Sequence, residues 1–204
     1  DRRLCASCLC YRAAMMAERG LRATTVRDIA DAAGILSGSL YHHFSSKEEM
    51  VDEVMRGFLD WLFARYREII DTEPNPLDRL KGLFLASFEA IESRHAQVVI
   101  YQDEAKRLSA QPRFGYVEER NREQRKMWLD VLNQGIEQGC FRPDLDVDLV
   151  YRFIRDTTWV SVRWYQPGGP LTAQQVGRQY LAIVLGGITK SADTEGENQW
   201  LKRM

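Results

Sequence analysis

The chain has 204 residues, of which 45% are hydrophobic and 28% charged, and a formal net charge of −1. That length buries a sizeable core, and a near-neutral chain does not hold nucleic acid by bulk attraction, so any such contact comes from a local patch. No apolar run approaches the roughly 18 residues of a membrane span and no secretory pattern is visible, so a cytoplasmic protein without a membrane partner is expected.

Apolar residues recur at intervals of three and four, and β-branched alternation is nearly absent. This pattern predicts an all-α protein of about nine helices. The first helical stretch, "LCASCLCYRAAMMAERG", stops at Gly20 and has an apolar face through Leu4, Cys8, Ala13 and Met16. Its cysteines, with Cys140, number four in the chain, too few for a disulfide scaffold at this length. Cys5-x-x-Cys8 lacks a second Cys or His pair at zinc spacing, so no metal site is expected. Thr24 or Thr25 caps a second helix that ends at Gly34, and Ser37 caps a very short third one. Ser45 or Ser46 starts a long fourth helix, with Glu48 and Glu49 at its positive end, running to Asp71. The prolines of "TEPNP" break it.

"LDRLKGLFLASFEAIESR" then reads as an amphipathic helix with Leu77, Leu80, Leu83, Phe84, Phe88 and Ile91 inward. "HAQVVIYQDEAKRLS" is another, and a long helix follows from about Gly115 to Gly139. Two apolar-rich helices, roughly 146–165 and 172–189, close the chain. The polar tail reads as disordered. The predicted organisation is a small helical unit over 1–47, a larger helical unit over 48–190, and a tail over 191–204.

The stretch "TTVRDIADAAGILSGSLYHHF" has the layout of a helix-turn-helix. Val26, Ile29, Ala30 and Ala33 form an inner face, small enough at the alanines for a close crossing. Gly34 supplies the positive φ of the turn, Ile35 plugs it, and Leu40 and Phe44 point inward at i and i+4. Ser37, Gly38, Ser39, Tyr41, His42 and His43 are left outward. In a major groove such hydroxyls reach base edges or phosphates, and a glycine lets the backbone come close. Tyr41 and the histidines suit the sugar-phosphate backbone, Lys47 suits a phosphate, and Arg27 faces out from the preceding helix. Thr25, at the head of that helix, joins the candidate contacts. Over residues 1–50 seven Lys and Arg stand against six Asp and Glu, so binding should be specific and modestly salt-dependent.

These residues are similar to the signature of the TetR family of transcriptional regulators. "TTVRDIADAAGILSGSLYHHFSSKEEM" follows it at nearly every position, including the Leu-Tyr-x-His-Phe core and the lysine after it. The cysteine-bearing first stretch departs from the plain aliphatics usual in the family. The resemblance implies a homodimer on double-stranded operator DNA, a ligand-responsive repressor rather than an enzyme. By position, Tyr41, His43 and Lys47 would hold phosphates, and Ser37, Gly38, Ser39 and Arg27 would approach bases. Over about 13–190, segments such as "HAQVVIYQDEAKRL" and "LTAQQVGRQYLAIVLGGI" resemble actinobacterial members that repress the ring C/D stage of cholesterol catabolism. That resemblance implies release from DNA by a CoA thioester of a steroid-derived acid, with no other cofactor.

The helix at 146–165 bears on that ligand from its own residues. Arg155, Trp159 and Arg163 share a face at i, i+4 and i+8, and cations in a mostly apolar helix need partners. They either line a pocket for an anionic or carbonyl-bearing ligand, with Trp159 against an apolar body, or pair with Asp103, Glu104 or Asp156. Tyr101, Trp128 and Phe88 are candidate pocket walls, each with ordinary core packing as its alternative. Arg125 and Lys126 are candidates for a CoA moiety at the mouth. Small Ala182, Gly186 and Gly187 in the last helix suit a four-helix contact between two protomers, which would set two reading helices about 34–36 Å apart. Three rivals stand beside this reading: a regulator answering to another hydrophobic or acyl-CoA ligand, a CoA-binding protein without DNA activity, and a helical enzyme. The enzyme rests on Glu92-x-x-His95, which imitates half of a di-iron motif without the second copy.

Overall fold

The computed structural model describes residues 13–14, 16–17, 20, 23–32 and 34–189. The expectations placed on Leu4, Cys5, Cys8, Cys10, Ala33 and the tail 191–204 lie outside the described residues. Ala13 and Met16 are helical and buried, as the apolar face of the first stretch requires.

Eight α-helices follow among the described residues: α1 (Val26–Ala32), α2 (Ser37–His43), α3 (Lys47–Thr72), α4 (Pro76–Ser93), α5 (His95–Leu108), α6 (Gly115–Glu137), α7 (Val147–Val160) and α8 (Ala173–Ile188). No strand is present among them. Thr25 heads α1 through a reciprocal box with Asp28. The Asp28 amide donates to the threonine hydroxyl at 3.1 Å, and the Thr25 amide donates to the Asp28 carboxylate at 2.8 Å. Gly34, at φ +66°, closes α1. Its amide bonds Asp31 O, and the Ile35 amide bonds Ala30 O, the paired bonds of a helix that ends in a left-handed residue.

The other caps follow local chemistry. Ser46 accepts from the Glu49 amide at the head of α3, Asn75 from Leu77 at α4, and Asp146 from Leu149 at α7. Thr172 and Gln175 form a full capping box at α8. One cap differs from expectation. Ser37 is the first residue of α2, and its cap position is Leu36, which makes no side-chain capping bond.

The core runs through α3, α4 and α6, around Phe58, Phe63, Tyr66, Phe84, Phe88 and Trp128. Tyr66, fully buried, places its hydroxyl 2.6 Å from Ser87 Oγ, which donates onward to Leu83 O. Helix α8 lies close on α4 because Gly177 has no side chain: a Cβ there would stand 2.9 Å from the Phe88 ring. The helix expected over 146–165 stops at Val160 and tightens into a 3₁₀ turn, Ser161–Arg163. Ser161 Oγ donates to Thr158 O, and the Trp164 and Tyr165 amides both return to Ser161 O. This tighter winding takes Arg163 off the face shared by Arg155 and Trp159.

Candidate functional site

Leu40 and Phe44 are buried, anchoring α2 against α1, and the opposite face is open. Arg27, Gly38, Ser39, His42 and His43 are exposed, Tyr41 is 59% exposed, and Ser37 is partly covered. Most of the polar set read from the sequence is therefore open to solvent. Two members are already engaged. The Thr25 hydroxyl donates to Asp28 at 2.6 Å, and Lys47 donates from Nζ to Thr24 O at 3.0 Å. Lys47 thereby ties the head of α3 to the head of α1. Glu49 turns back to Ser45, whose hydroxyl and amide hold its carboxyl below the ordinary value. Sequence reasoning took the outward set to be polar and missed Leu36, which is 81% exposed at the entrance to α2.

A second feature lies between α5, α6 and α7. A cavity of about 580 Å³ is lined by Tyr101 and Lys106 from α5, by Arg122, Gln124 and Arg125 from α6, and by Tyr151, Arg155 and Trp159 from α7. Volumes of this order are usual for small-molecule sites. The stripe expected on α7 is thus present, but its members are Tyr151, Arg155 and Trp159, shifted one helical step towards the N-terminus. Tyr151 was legible in principle, being four residues before Arg155. Trp159 is buried edge-on to Tyr101 at 6.5 Å. Tyr101 donates to Asn121 Oδ1, and burial raises its pKa, so it stays protonated.

The guanidinium of Arg155 stands 5.7 Å from the Tyr151 ring centroid. Arg155 lines the cavity, and its Nε is 2.7 Å from Asp156 Oδ1. That hydrogen bond raises its pKa further. Burial pushes the Tyr151 hydroxyl up, with Arg155 pulling against it.

Three other candidates stand elsewhere. Arg163 points to Asp103 at 3.5 Å, outside the lining, after the 3₁₀ turn has rotated it. Trp128 lies one layer deeper, its ring 6.4 Å from that of Tyr151, among core aromatics. Phe88 stacks on Phe84 at 5.8 Å beneath Gly177. Their burial was predictable, whereas the layer each occupies depends on helix packing that periodicity does not specify. Arg125 lines the cavity and is paired with Asp148, Lys126 instead pairs with Asp130 at 2.7 Å outside the lining, and Lys106 and Arg122 are additional lining cations. Gln124, 5% exposed, is a further polar lining group the sequence did not single out.

Helix α6 joins this cavity to α3. Tyr116 donates to Asp52 O at 3.4 Å, with Arg56 stacked 3.8 Å over its ring. Arg120 reaches Asp60, and Arg67 of α3 reaches Glu123. Large apolar side chains stand exposed on α7, on α8 and on the segment between them: Phe153, Ile183, Trp164 and Leu171 are 67%, 72%, 59% and 54% exposed. A Cβ on Gly186 or Gly187 would meet nothing within 4 Å. The Glu92-x-x-His95 pair is occupied structurally. Tyr165 donates to Glu92 at 2.9 Å, and His95 Nε2 lies 3.2 Å from Val162 O. No group of metal-ligating side chains, and no helix long and apolar enough to cross a membrane, occurs among the described residues.

Residues 13–54 match the family model "Bacterial regulatory proteins, tetR family", and residues 73–188 match "Tetracyclin repressor-like, C-terminal domain". The chain is 84% identical over 178 residues to the HTH-type transcriptional repressor KstR2 of Mycobacterium tuberculosis (strain CDC 1551 / Oshkosh), covering 87% of this chain and 89% of that protein. It is 76% identical over 179 residues to KstR2 of Mycolicibacterium smegmatis, covering 88% and 87%. The solved structure of the ketosteroid transcriptional regulator KstR2 of M. tuberculosis superposes with a TM-score of 0.90 at 80% identity, over 94% of this chain and 96% of that one. These relatives are named repressors, not enzymes. The chain belongs to the TetR family of bacterial regulatory proteins, as a helix-turn-helix transcriptional repressor closely related to KstR2.

Proposed function

We propose that this repressor holds operator DNA as a homodimer through Arg27 and the outer face of α2, and that a CoA thioester of a steroid-derived acid releases it. The observation that carries the effector reading is the cavity wall of Tyr151, Arg155 and Trp159. An aromatic surface beside a cation suits a flat apolar body that carries a carbonyl or carboxylate. Lys106, Arg122 and Arg125 at the same cavity suit the phosphates of a CoA moiety. The steroid class is supported by the likeness to a protein described as a ketosteroid regulator.

Release follows from the shared helix. A ligand that wedges α6 from α7 acts on the helix whose Tyr116 and Arg120 contact α3. Helix α3 is bonded through Lys47 to the head of α1. Differential contact with two positions of α6 is the free energy such a switch needs. The exposed apolar face of α7 and α8 suits the isologous contact of a dimer.

The test is fluorescence anisotropy of a labelled duplex from the DNA flanking this gene. Protein is titrated in, then a steroid-derived CoA thioester, with plain CoA and a straight-chain acyl-CoA as controls. Tight binding reversed by the steroid thioester alone supports the proposal. Binding reversed by the straight-chain thioester, or by no thioester, refutes the effector class.

A further inference from the structure

We infer that Leu36 reads a thymine methyl in the major groove and so helps set the operator sequence. The inference rests on the reading that the outer face of α2 enters DNA. Leu36 is 81% exposed, the highest value among the exposed large hydrophobic side chains described. It occupies the cap position of α2 with extended backbone, φ −68° and ψ 135°, and makes no side-chain bond. Leucine is among the poorest residues there, while Ser, Thr, Asp and Asn are the best. Four other helices use those residues, with Ser46, Asn75, Asp146 and Thr172 each accepting the capping bond, while α5 and α6 carry Arg94 and Phe114 there without one. Phe114 is buried in the core, whereas Leu36 stands in water where a hydroxyl would serve the fold better.

The surroundings identify what covers it. Arg27 on α1 and Gly38, Ser39, Tyr41 and His42 on α2 are all exposed as well. A protein partner laid on this surface would bury those polar groups and leave them to find partners. Duplex DNA meets both needs: phosphates and base edges take the donors, and the thymine C5 methyl is the apolar feature of the major-groove edges. Gly38, where an added Cβ would meet nothing within 4 Å, keeps the approach clear. Hydroxyls read hydrogen-bonding edges, and Leu36 adds preference for a base that no hydroxyl distinguishes by its methyl.

The test uses the full chain and the tightest-binding duplex from the DNA flanking the gene. Each dT is replaced singly by dU, which removes the methyl and keeps the pairing. Wild type, Leu36→Ala and Leu36→Ser are compared by anisotropy, with melting temperature and sedimentation as controls. One dU position per half-site is expected to weaken wild type about fourfold, the worth of burying one methyl, and to leave Leu36→Ala unchanged. Leu36→Ser should also melt no lower than wild type. If every dU position affects wild type and Leu36→Ala equally, or if the substitutions alter dimer mass instead of DNA affinity, the inference is overturned. Failure of wild type to bind any flanking duplex overturns the parent reading as well, which separates the two.

Discussion

Replacing Arg155 by methionine separates the effector site from both the fold and the DNA face. The pair it forms with Asp156 is open to solvent, with side chains 42% and 62% exposed, so its loss costs the fold about 0–1 kcal/mol. Methionine keeps an unbranched apolar stem beside Tyr151 and avoids a cavity. For the ligand the loss is larger, because a hydrogen bond from a guanidinium to a carbonyl or anion contributes about 1.5–3 kcal/mol. That corresponds to a roughly ten- to hundredfold rise in the thioester concentration that releases half the duplex. The assay is anisotropy of the labelled operator at fixed protein, titrated with the steroid-derived CoA thioester. Melting and duplex affinity without ligand should match wild type. An unchanged release curve in a protein with unchanged melting refutes the assignment of Arg155 to the ligand.

Tyr41→Ala and Lys47→Ala should each lower operator affinity by about 1–2 kcal/mol while sedimentation still reports a dimer. Lys47→Ala should also reduce the slope of log affinity on log salt by about one. Because Lys47 bonds Thr24 O, that variant should lose up to about 1 kcal/mol of stability, read by denaturant unfolding. Ile183→Asp places a carboxylate on the exposed apolar face of α8 and should turn the dimer into monomer by sedimentation, with operator affinity falling in step. Glu49 provides a pH test. Its folded pKa lies below the ordinary 4.5 through the Ser45 hydroxyl and amide, so its contribution is present above that value and lost as pH falls through the folded pKa. Ser45→Ala should therefore shift acid unfolding to higher pH, followed by circular dichroism.

Legibility differed with the kind of information. The helix-turn-helix was readable because each signal is local: a threonine box, a left-handed glycine, and inward residues four apart. Leu36 escaped because attention to hydrogen-bonding groups gave no reason to ask where a single leucine points. The same limit applied on α7. A strict i, i+4, i+8 rule carried the stripe forward to Arg163, but the Ser161 turn changes the winding there, and the stripe runs back to Tyr151 instead. Phe88 and Trp128 show what periodicity omits. It marks them as inward, yet whether they face a cavity or a neighbouring helix depends on α8 settling onto α4 at Gly177.

The two surfaces are linked by a short physical chain, and the order of its parts has a consequence. Helix α3 meets the cavity wall directly, through Phe58 against Tyr101 at 5.9 Å and Trp159 at 6.5 Å, and again through α6, by Tyr116 on Asp52 and Arg56 and by charge pairs at Arg120 and Glu123. The ring stacked under Arg56 is the part least able to slip, since its hydroxyl and its face are held by the same turn of α3. The charge pairs further along are mostly solvent-exposed and can re-form after a small shift. In the proposed release, a displacement of α6 would lever α3 about its Asp52–Arg56 turn, near the end that carries Lys47. A small motion at the cavity would then change the tilt of α2 against DNA, and a dimer would amplify it because both half-sites must fit at once.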